Sequence, residues 1–287
     1  MTELEFEALR AFLKARSGLA LSPEKRYLVE SRLASVCTRF KLDNLSRLIW
    51  EIKSGRSPAL ENATIEAMTT NETFFFRDKA PFDLFQNVLL PRFLKDRATS
   101  RRLRIWCAAA SSGQEPYSLA MLLKEASARM AGWHVDIVAT DISNEVLEKA
   151  RAGIYNQFEV QRGLPVRLLV KYFTQKGDLW QIAPEIRAMV DFRYLNLIED
   201  FGRLGMFDIV YCRNVLIYFD ADMKANVLRR IAQLMPADGA LVLGASETIL
   251  GITDALTLDP AYRGLYTKTS TVGSAGATAR PVLVGSR

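Results

Sequence analysis

Apolar and polar positions alternate along the C-terminal two thirds of this chain in a pattern that predicts strands and helices in turn. Short apolar runs typical of buried strands occupy residues 103–108, 135–140, 189–195, 207–212 and 240–245. Segments with helical periodicity follow three of them, at residues 116–130, 143–152 and 221–235. Because strands that alternate with helices form mainly parallel sheets covered on both faces, the pattern predicts an α/β fold.

The first 78 residues lack this alternation and are helical in pattern. Apolar spacing predicts a first helix around residues 5–13, and Ser22-Pro23 is a typical start for a second helix, with the serine as its cap and the proline in its first turn. Further helices fit residues 44–53 and 59–69. We therefore expect an all-α N-terminal domain over residues 1–78, a connecting helix over 79–102 and an α/β domain over 103–268.

Two segments depart from the α/β alternation. Residues 155–188 hold two short apolar stretches on either side of the turn Lys176-Gly177-Asp178, which predicts a small antiparallel β-subdomain insertion. Residues 256–268 predict an antiparallel hairpin at the edge of the sheet. The tail over 269–287 is rich in Ser, Thr, Gly and Ala without periodicity, so we expect it to be disordered.

Composition narrows the chemistry. The chain has one histidine, His134, and three widely separated cysteines, Cys37, Cys107 and Cys212, which indicate neither a disulfide framework nor a zinc cluster. We therefore expect no metal and no imidazole catalysis. No apolar run reaches the roughly 18 to 20 residues of a membrane span, and the acidic start is unlike a signal peptide. These features predict a cytoplasmic protein without membrane insertion.

Positive charge is concentrated near the N-terminus. Residues 8–60 contain eleven Lys and Arg against four Asp and Glu, within a formal net charge of +6 for the chain. On the second predicted helix Lys25, Arg32 and Arg39 recur every seven residues and so share one side, with Arg26 adjacent. This side is either a solvated helix face or a docking face for an acidic helical partner, and the local excess also permits a nucleic acid.

The first predicted strand runs into a small-residue elbow and then a helix, the arrangement at which open α/β sheets bind nucleotide-like ligands. The elbow, Ala108–Gly113, has one glycine where a dinucleotide fingerprint needs three. Glu115 follows at once and would repel a pyrophosphate. The pattern therefore predicts an adenosine compound with a cationic end.

Other polar residues stand at the predicted carboxyl ends of strands. Asp141 follows the second strand and can accept both hydroxyls of a ribose, although it could instead cap the next helix. Arg213 and Asn214 end another buried strand abruptly, and Tyr218 follows as either a cleft residue or a core filler. Outside the sheet, Arg77 follows three phenylalanines and suits a carboxylate, although that segment could be an ordinary seam between domains.

Together these segments resemble the chemoreceptor glutamate methyltransferase family, usually called CheR, from about residue 5 to about residue 268. The resemblance rests on Thr70–Arg77, Ala110–Ala120, Ala139–Ser143, Leu195–Leu197 and Cys212–Phe219. It implies a Rossmann-like class I S-adenosylmethionine-dependent methyltransferase domain with the β-subdomain insertion, preceded by an all-α domain. The cofactor contacts that it implies are Asn71, Thr73, Arg77, Glu115, Asp141, Asn196, Leu197, Arg213 and Asn214.

By the same resemblance Glu115 would meet the methionine end of the cofactor, Asp141 the ribose, and Asn196 and Leu197 the adenine side. The implied reaction is methyl transfer to glutamates on the cytoplasmic methylation helices of chemoreceptors, with S-adenosylhomocysteine as the second product. A glutamate carboxylate is already ionised at neutral pH, so no general base is needed. Arg77 and Tyr218 are the candidates for orienting it, and the helix with Lys25, Arg26, Arg32 and Arg39 is the candidate docking face at receptor arrays.

The sequence departs from the family at three points. Ala110 stands where relatives often have cysteine, and the tail beyond Lys268 is an extension to which the resemblance assigns no role. The turn over residues 174–178 is shorter than the loop of members that tether to a receptor's C-terminal peptide, so we do not expect tethering. Two alternatives stay open. A nucleic-acid methyltransferase would suit the basic N-terminal unit, although no Asn/Asp-Pro-Pro-Tyr motif is present, and a non-catalytic adaptor could bind the cofactor without turnover.

Overall fold

The computed structural model describes residues 1–269. In its N-terminal part four helices pack around a core of leucine, isoleucine, valine and phenylalanine side chains. They are α1 (Glu3–Ser17), α2 (Arg26–Arg39), α3 (Leu45–Ser54) and α4 (Pro58–Met68). The predicted start of α2 is wrong by three residues, because Pro23–Lys25 form a 3₁₀ turn and the Ser22 side chain makes no capping hydrogen bond.

A short helical segment leads from this unit to the sheet. It consists of α5 (Ala80–Leu84), one π-helical turn over Phe85–Leu89, and α6 (Leu90–Asp96). The helix therefore ends six residues before the predicted boundary at 102. Arg101 adopts a left-handed conformation with φ of 49°, and Arg102 already pairs with His134 in the sheet, so the backbone cannot continue as a helix.

The α/β part begins with four elements. They are β1 (Arg102–Cys107), α7 (Gln114–Glu125), β2 (His134–Asp141) and α8 (Asn144–Ala152). An insertion follows and contains more helix than the sequence pattern indicated. Its elements are β3 (Ile154–Asn156), α9 (Gln157–Gln161), α10 (Val166–Tyr172), β4 (Phe173–Lys176), β5 (Leu179–Ile182) and α11 (Pro184–Arg187). The predicted hairpin is present as β4 and β5, and β3 completes an antiparallel sheet in the order β3-β5-β4.

The remaining elements complete the main sheet. They are β6 (Val190–Tyr194), β7 (Ile209–Cys212), α12 (Ala221–Gln233), β8 (Ala240–Leu243), β9 (Leu256–Leu258) and β10 (Leu265–Lys268). Within residues 1–269 this sheet has seven strands in the order β6-β2-β1-β7-β8-β10-β9. The first five are parallel, and β10 runs antiparallel to both of its neighbours, as the predicted edge hairpin requires. The strand order reverses between β1 and β7, which is where open α/β sheets form a ligand cleft.

Alternate side chains of the strands serve the two faces of the sheet. Ile105 belongs to a core shared with α7 and the insertion, whereas its neighbour Trp106 belongs to a core shared with α12. This double burial explains why the strands appear in the sequence as nearly continuous apolar runs. No helix in residues 1–269 has the length and apolar character needed to cross a membrane.

Glu125, at the end of α7, joins that helix to α10 of the insertion. Its carboxylate accepts hydrogen bonds from Lys171 Nζ at 2.7 Å and Tyr172 Oη at 2.6 Å, and pairs with Arg167 Nη1 at 2.7 Å. The hydrogen bond from Lys171, followed by that from Tyr172, lowers the pKa of Glu125 to about 2. The ionised carboxylate therefore stabilises the folded state.

We expect acid to remove this contribution. The lowered pKa means that it is complete above the unfolded value of about 4.3 and is lost as the pH falls from there towards 2. Urea unfolding of the wild type and Glu125→Gln should give a free-energy difference that is largest at neutral pH and shrinks through this window. A difference that stays constant down to about pH 2.5 would contradict the assignment.

Candidate functional site

An open cleft lies at the carboxyl ends of β1, β2 and β7, with the N-terminal helical unit along one side. It encloses about 960 Å³ of space unoccupied by atoms, including its mouth. Its walls contain all ten residues that the sequence nominated for cofactor or substrate: Asn71, Thr73, Arg77, Glu115, Asp141, Asn196, Leu197, Arg213, Asn214 and Tyr218. The structure therefore brings together segments that lie up to 147 residues apart in the chain (71 and 218), and their contact with a ligand stays a prediction.

The elbow after β1 depends on Gly113. This residue has φ of 94°, and a Cβ there would lie 3.0 Å from the Ala150 Cβ and 3.2 Å from the Tyr155 hydroxyl oxygen. Glycine is thus required both by the backbone conformation and by the close approach of α8 and β3. Ser111, two residues earlier, donates its hydroxyl to the carbonyl of Asn71 at 2.8 Å, which ties the elbow to the N-terminal unit.

An ion cluster centred on the buried Arg213 lies at the cleft, which Arg213 and Glu115 line. Arg213 Nη1 donates to Glu115 Oε2 at 2.7 Å, and Arg213 Nη2 donates to Asp78 Oδ2 at 2.8 Å and to the carbonyl of Arg77 at 2.9 Å. Burial raises the pKa of Glu115, and the charge of Arg213 opposes that rise. Burial alone would lower the pKa of Arg213, but Glu115 and Asp78 outweigh it and the pKa is raised. Arg213 is therefore firmly cationic.

Asp141 lies at the tip of β2 with both carboxylate oxygens directed to backbone groups. Oδ2 accepts the N–H of Ser111 at 2.8 Å and Oδ1 accepts that of Ser143 at 3.0 Å. Burial raises its pKa, although these hydrogen bonds act in the opposite direction. Ser143 is the N-cap of α8, and Glu66 of α4 accepts the next free amide, that of Asn144, at 2.7 Å. Since Ser143 caps α8, the structure does not support the alternative that Asp141 serves only as the cap of that helix.

Asn196 and Leu197 form the opposite wall. The amide of Asn196 donates to the carbonyl of Arg16 at 2.7 Å and so holds the end of α1 over the cleft. Arg230 of α12 donates to the carbonyl of Leu197. These contacts explain why the loop after β6 has a defined conformation beside the cleft.

Arg77 and Tyr218 also line the cleft, and both are half-buried. Arg77 Nη1 donates to the carbonyl of Glu72 at 2.6 Å, and its guanidinium lies 5.6 Å from the centre of the Phe74 ring. The carbonyl of Tyr218 accepts the N–H of Ala20 at 2.8 Å, so the turn that carries this residue is also attached to the N-terminal unit.

Comparison with known proteins identifies the family. Residues 71–263 match the profile described as CheR methyltransferase, SAM binding domain, and residues 4–69 match CheR methyltransferase, all-alpha domain. The chain belongs to the CheR methyltransferase family. It is 43% identical to chemotaxis protein methyltransferase 1 of Vibrio cholerae (88% of this chain, 92% of that one) and 43% identical to chemotaxis protein methyltransferase 1 of Pseudomonas aeruginosa (87% and 92%). It is 34% identical to the Escherichia coli chemotaxis protein methyltransferase (90% and 89%).

Membership of the CheR family confirms the predicted fold class and the cofactor. This protein is an S-adenosylmethionine-dependent methyltransferase with an all-α N-terminal unit. The cleft suits that cofactor, because it offers carboxylates at Glu115 and Asp141 to a cationic, ribose-containing ligand and an arginine at Arg213 to an amino-acid carboxylate. Within residues 1–269 no three His, Cys, Asp or Glu side chains are grouped in a way that could hold a metal ion.

Some of the basic side chains on α2 are engaged in contacts within the protein, which the spacing of these residues in the sequence did not indicate. Lys25 and Arg39 are exposed. Arg26 is engaged with Glu3 and the carbonyl of Met1. Arg32 donates to the carbonyls of Met68 and Thr69 and to the Thr70 hydroxyl. Two of the four candidate docking cations in this CheR protein therefore have intramolecular partners, and docking itself stays a prediction.

The sequence indicated no role in shaping the cleft for five residues that have one. They are Arg32, Glu66, Asp78, Arg230 and Glu247. Each bonds to backbone or to a charge on a distant segment, which local spacing does not indicate, and the spacing of Arg32 indicated only docking. Asp78 could have been found, since it follows directly on the Thr70–Arg77 motif.

We expect Arg32 to contribute more to stability than Arg39, although both lie on α2. Arg32→Ala removes hydrogen bonds to the last carbonyls of α4, at 2.9 and 3.0 Å, and leaves those groups partly buried. Its free energy of unfolding should fall by about 1–3 kcal/mol, whereas Arg39→Ala should change it by less than about 0.5 kcal/mol. Urea unfolding of both variants measures the difference. Equal losses would show that the contacts of Arg32 contribute nothing.

Proposed function

We propose that this protein transfers the methyl group of S-adenosylmethionine to glutamate side chains of chemoreceptors, giving γ-glutamyl methyl esters. The names of its relatives, which are chemotaxis protein methyltransferases, support the receptor as substrate. The observation that carries the proposal is the composition of the cleft. It places arginine and tyrosine beside a carboxylate-lined cofactor site, with no histidine among its lining residues.

In this proposal different residues of the cleft contact different parts of the cofactor. Glu115 meets the amino end of the methionine portion, and the adjacent Arg213 and Asn214 complete that side. Asp141 accepts the ribose hydroxyls through the lone pairs that the Ser111 and Ser143 amides leave free. Asn196 and Leu197 flank the adenine, and Asn71 and Thr73 close the cleft from the N-terminal unit.

The cofactor supplies an electrophilic methyl group on a sulfonium, and a glutamate carboxylate oxygen takes it up to give the ester and S-adenosylhomocysteine. The incoming carboxylate has an ordinary pKa of about 4.3, so the protein need not remove a proton. Its task is to align the carboxylate and strip water from it. Arg77 orients the carboxylate by its charge and Tyr218 by its hydroxyl. Since Arg77 already donates to the Glu72 carbonyl, its ion pair with the substrate is shared and does not quench the nucleophile.

The proposed partner is a receptor helix that presents several glutamates, and the proposed docking face is the basic side of α2 together with Lys25 of the preceding 3₁₀ turn. Lys25 and Arg39 are exposed for direct ion pairs, whereas Arg26 and Arg32 contribute positive potential from their anchored positions. Recruitment to receptor arrays in the cytoplasm follows from this docking. The turn between β4 and β5 is short, with Gly177 at φ of 61°, so we do not propose tethering to a receptor's C-terminal peptide.

Receptor-containing membranes incubated with the protein and S-adenosylmethionine labelled in its methyl group test the proposal. We expect base-labile label on the receptor, no label after Arg77→Ala, and retained transfer after Arg162→Ala. Arg162 is the matched control because it packs on the same Phe74 ring, at 4.3 Å, without lining the cleft.

Full activity of Arg77→Ala would exclude its role in orienting substrate. Cofactor binding without any label on receptor would favour a non-catalytic adaptor. Label on DNA or RNA in place of receptor would favour a nucleic-acid methyltransferase.

Charge steering predicts that added salt slows receptor methylation more than it weakens cofactor binding. Replacing both Lys25 and Arg39 by alanine should lower the rate at low salt and flatten this dependence. The double replacement of Lys53 and Arg56, which removes the same charge from exposed positions of the α3 region, is the control and should leave the dependence unchanged. Equal salt effects on rate and on cofactor binding would refute the steering.

A further inference from the structure

A buried carboxylate outside the cleft connects the loops that follow β7 and β8. Glu247 is 8% exposed. Its Oε2 accepts the backbone N–H groups of Asn214 at 2.7 Å and Gly244 at 2.8 Å, and its Oε1 accepts those of Val215 at 3.0 Å and Leu216 at 2.8 Å. Four hydrogen bonds to one ionisable side chain thus join the carboxyl ends of two neighbouring strands.

The loop that Glu247 holds includes a residue with positive φ. Asn214 has φ of 58°, in the left-handed region, which asparagine adopts more readily than most residues other than glycine. Because other conformations are also open to an asparagine, its surroundings must select this one. The hydrogen bonds that Asn214 and the next two residues donate to Glu247 do so, and the 3₁₀ turn Leu216–Tyr218 follows directly. Glu247 therefore sets the backbone from which Asn214 and Tyr218 reach the cleft.

Gly244 allows the carboxylate to approach. A Cβ at this position would lie 2.8 Å from Glu247 Oε2, 3.0 Å from Asn214 Nδ2 and 3.1 Å from the Asn214 nitrogen. A side chain at position 244 would therefore displace the Glu247 carboxylate and crowd the backbone nitrogen of Asn214. Leu243-Gly244-Ala245-Ser246-Glu247 is accordingly a clamp in which the glycine makes room and the glutamate binds.

We infer that Glu247 is a positioning residue for the cofactor, which acts by holding Asn214 in its left-handed conformation. Glu247 is not among the residues of the described chain that line the cleft, so it acts through Asn214. The inference rests on the proposed contact between Asn214 and S-adenosylmethionine.

Calorimetric titration with S-adenosylhomocysteine tests the inference. Glu247→Gln keeps the shape of the side chain but turns an amide NH₂ towards two of the four backbone donors. Because hydrogen bonds to charged groups are strong, we expect the dissociation constant to rise at least about tenfold, with a parallel rise in KM for S-adenosylmethionine. Asp208→Asn is the matched control. Asp208 precedes the other end of β7 and accepts the Arg104 N–H at 2.9 Å and Arg97 Nε at 3.0 Å.

The control separates positioning from general stability. Both variants should unfold at a lower temperature than the wild type, but Asp208→Asn should bind S-adenosylhomocysteine within about twofold of the wild type, since its contacts lie at the far edge of the sheet. Binding within the same limit by Glu247→Gln would overturn the inference. If Glu247→Gln does not fold, Gly244→Ala perturbs the same clamp from the other side, and wild-type affinity in that variant would overturn it equally.

A third variant tests the proposed contact between Asn214 and the cofactor separately from the role of Glu247. Asn214→Ala should weaken binding if the proposed contact exists. Normal binding by Asn214→Ala refutes that contact and the inference with it. Weak binding by Asn214→Ala together with normal binding by Glu247→Gln refutes the inference alone.

Discussion

The arrangement of this site depends on the ion pairs and hydrogen bonds made by the guanidinium of Arg213. This guanidinium is buried and joins three segments that are distant in sequence: the end of β7, the first turn of α7 at Glu115, and the loop at Arg77 and Asp78. An isolated charge in the interior is strongly destabilising, so the cluster is favourable only when all its members are in place. The folded sheet and the position of the N-terminal unit are thereby linked at the cleft.

The cleft is consequently a product of both halves of the chain. Asn196 holds the Arg16 carbonyl, Ser111 holds the Asn71 carbonyl, and Glu66 bonds to the start of α8. The same α2 that carries the proposed docking face reaches the cleft wall through Arg32 and Thr70. A partner bound to α2 would thus lie one hydrogen-bonded step from the cleft wall, which the N-terminal unit itself helps to form through Thr70 and Asn71.

The sequence predicted the sheet well because its strands are buried on both faces and leave unmistakable apolar runs. Glu115, Asp141 and Arg213 could also be predicted as cleft residues, since parallel strands such as β1, β2 and β7 end at one edge and polar residues there have no packing role. Asn71, Thr73, Asn196 and Leu197 were implied only by the family resemblance. The roles of Glu247 and Arg32 could not be predicted, because their partners are backbone groups on other segments. Any exposed glutamate or arginine has the same local sequence pattern. The true ends of the connecting helix depended on sheet pairing at Arg102, which no helical periodicity encodes.

The ion cluster also changes which ligand groups Glu115 can recognise. A lone carboxylate would select any cation, but Glu115 lies 2.7 Å from Arg213, so the wall offers a paired negative and positive group. In the proposed binding mode the amino-acid end of the cofactor, which carries both an ammonium and a carboxylate, meets a complementary pair. Asp78 is a second carboxylate on Arg213, so the cluster as a whole has one more negative than positive group. In the proposed binding mode this excess offsets the positive charge of the sulfonium together with Asp141, a buried carboxylate of the predicted site that has no arginine partner among the described ion pairs.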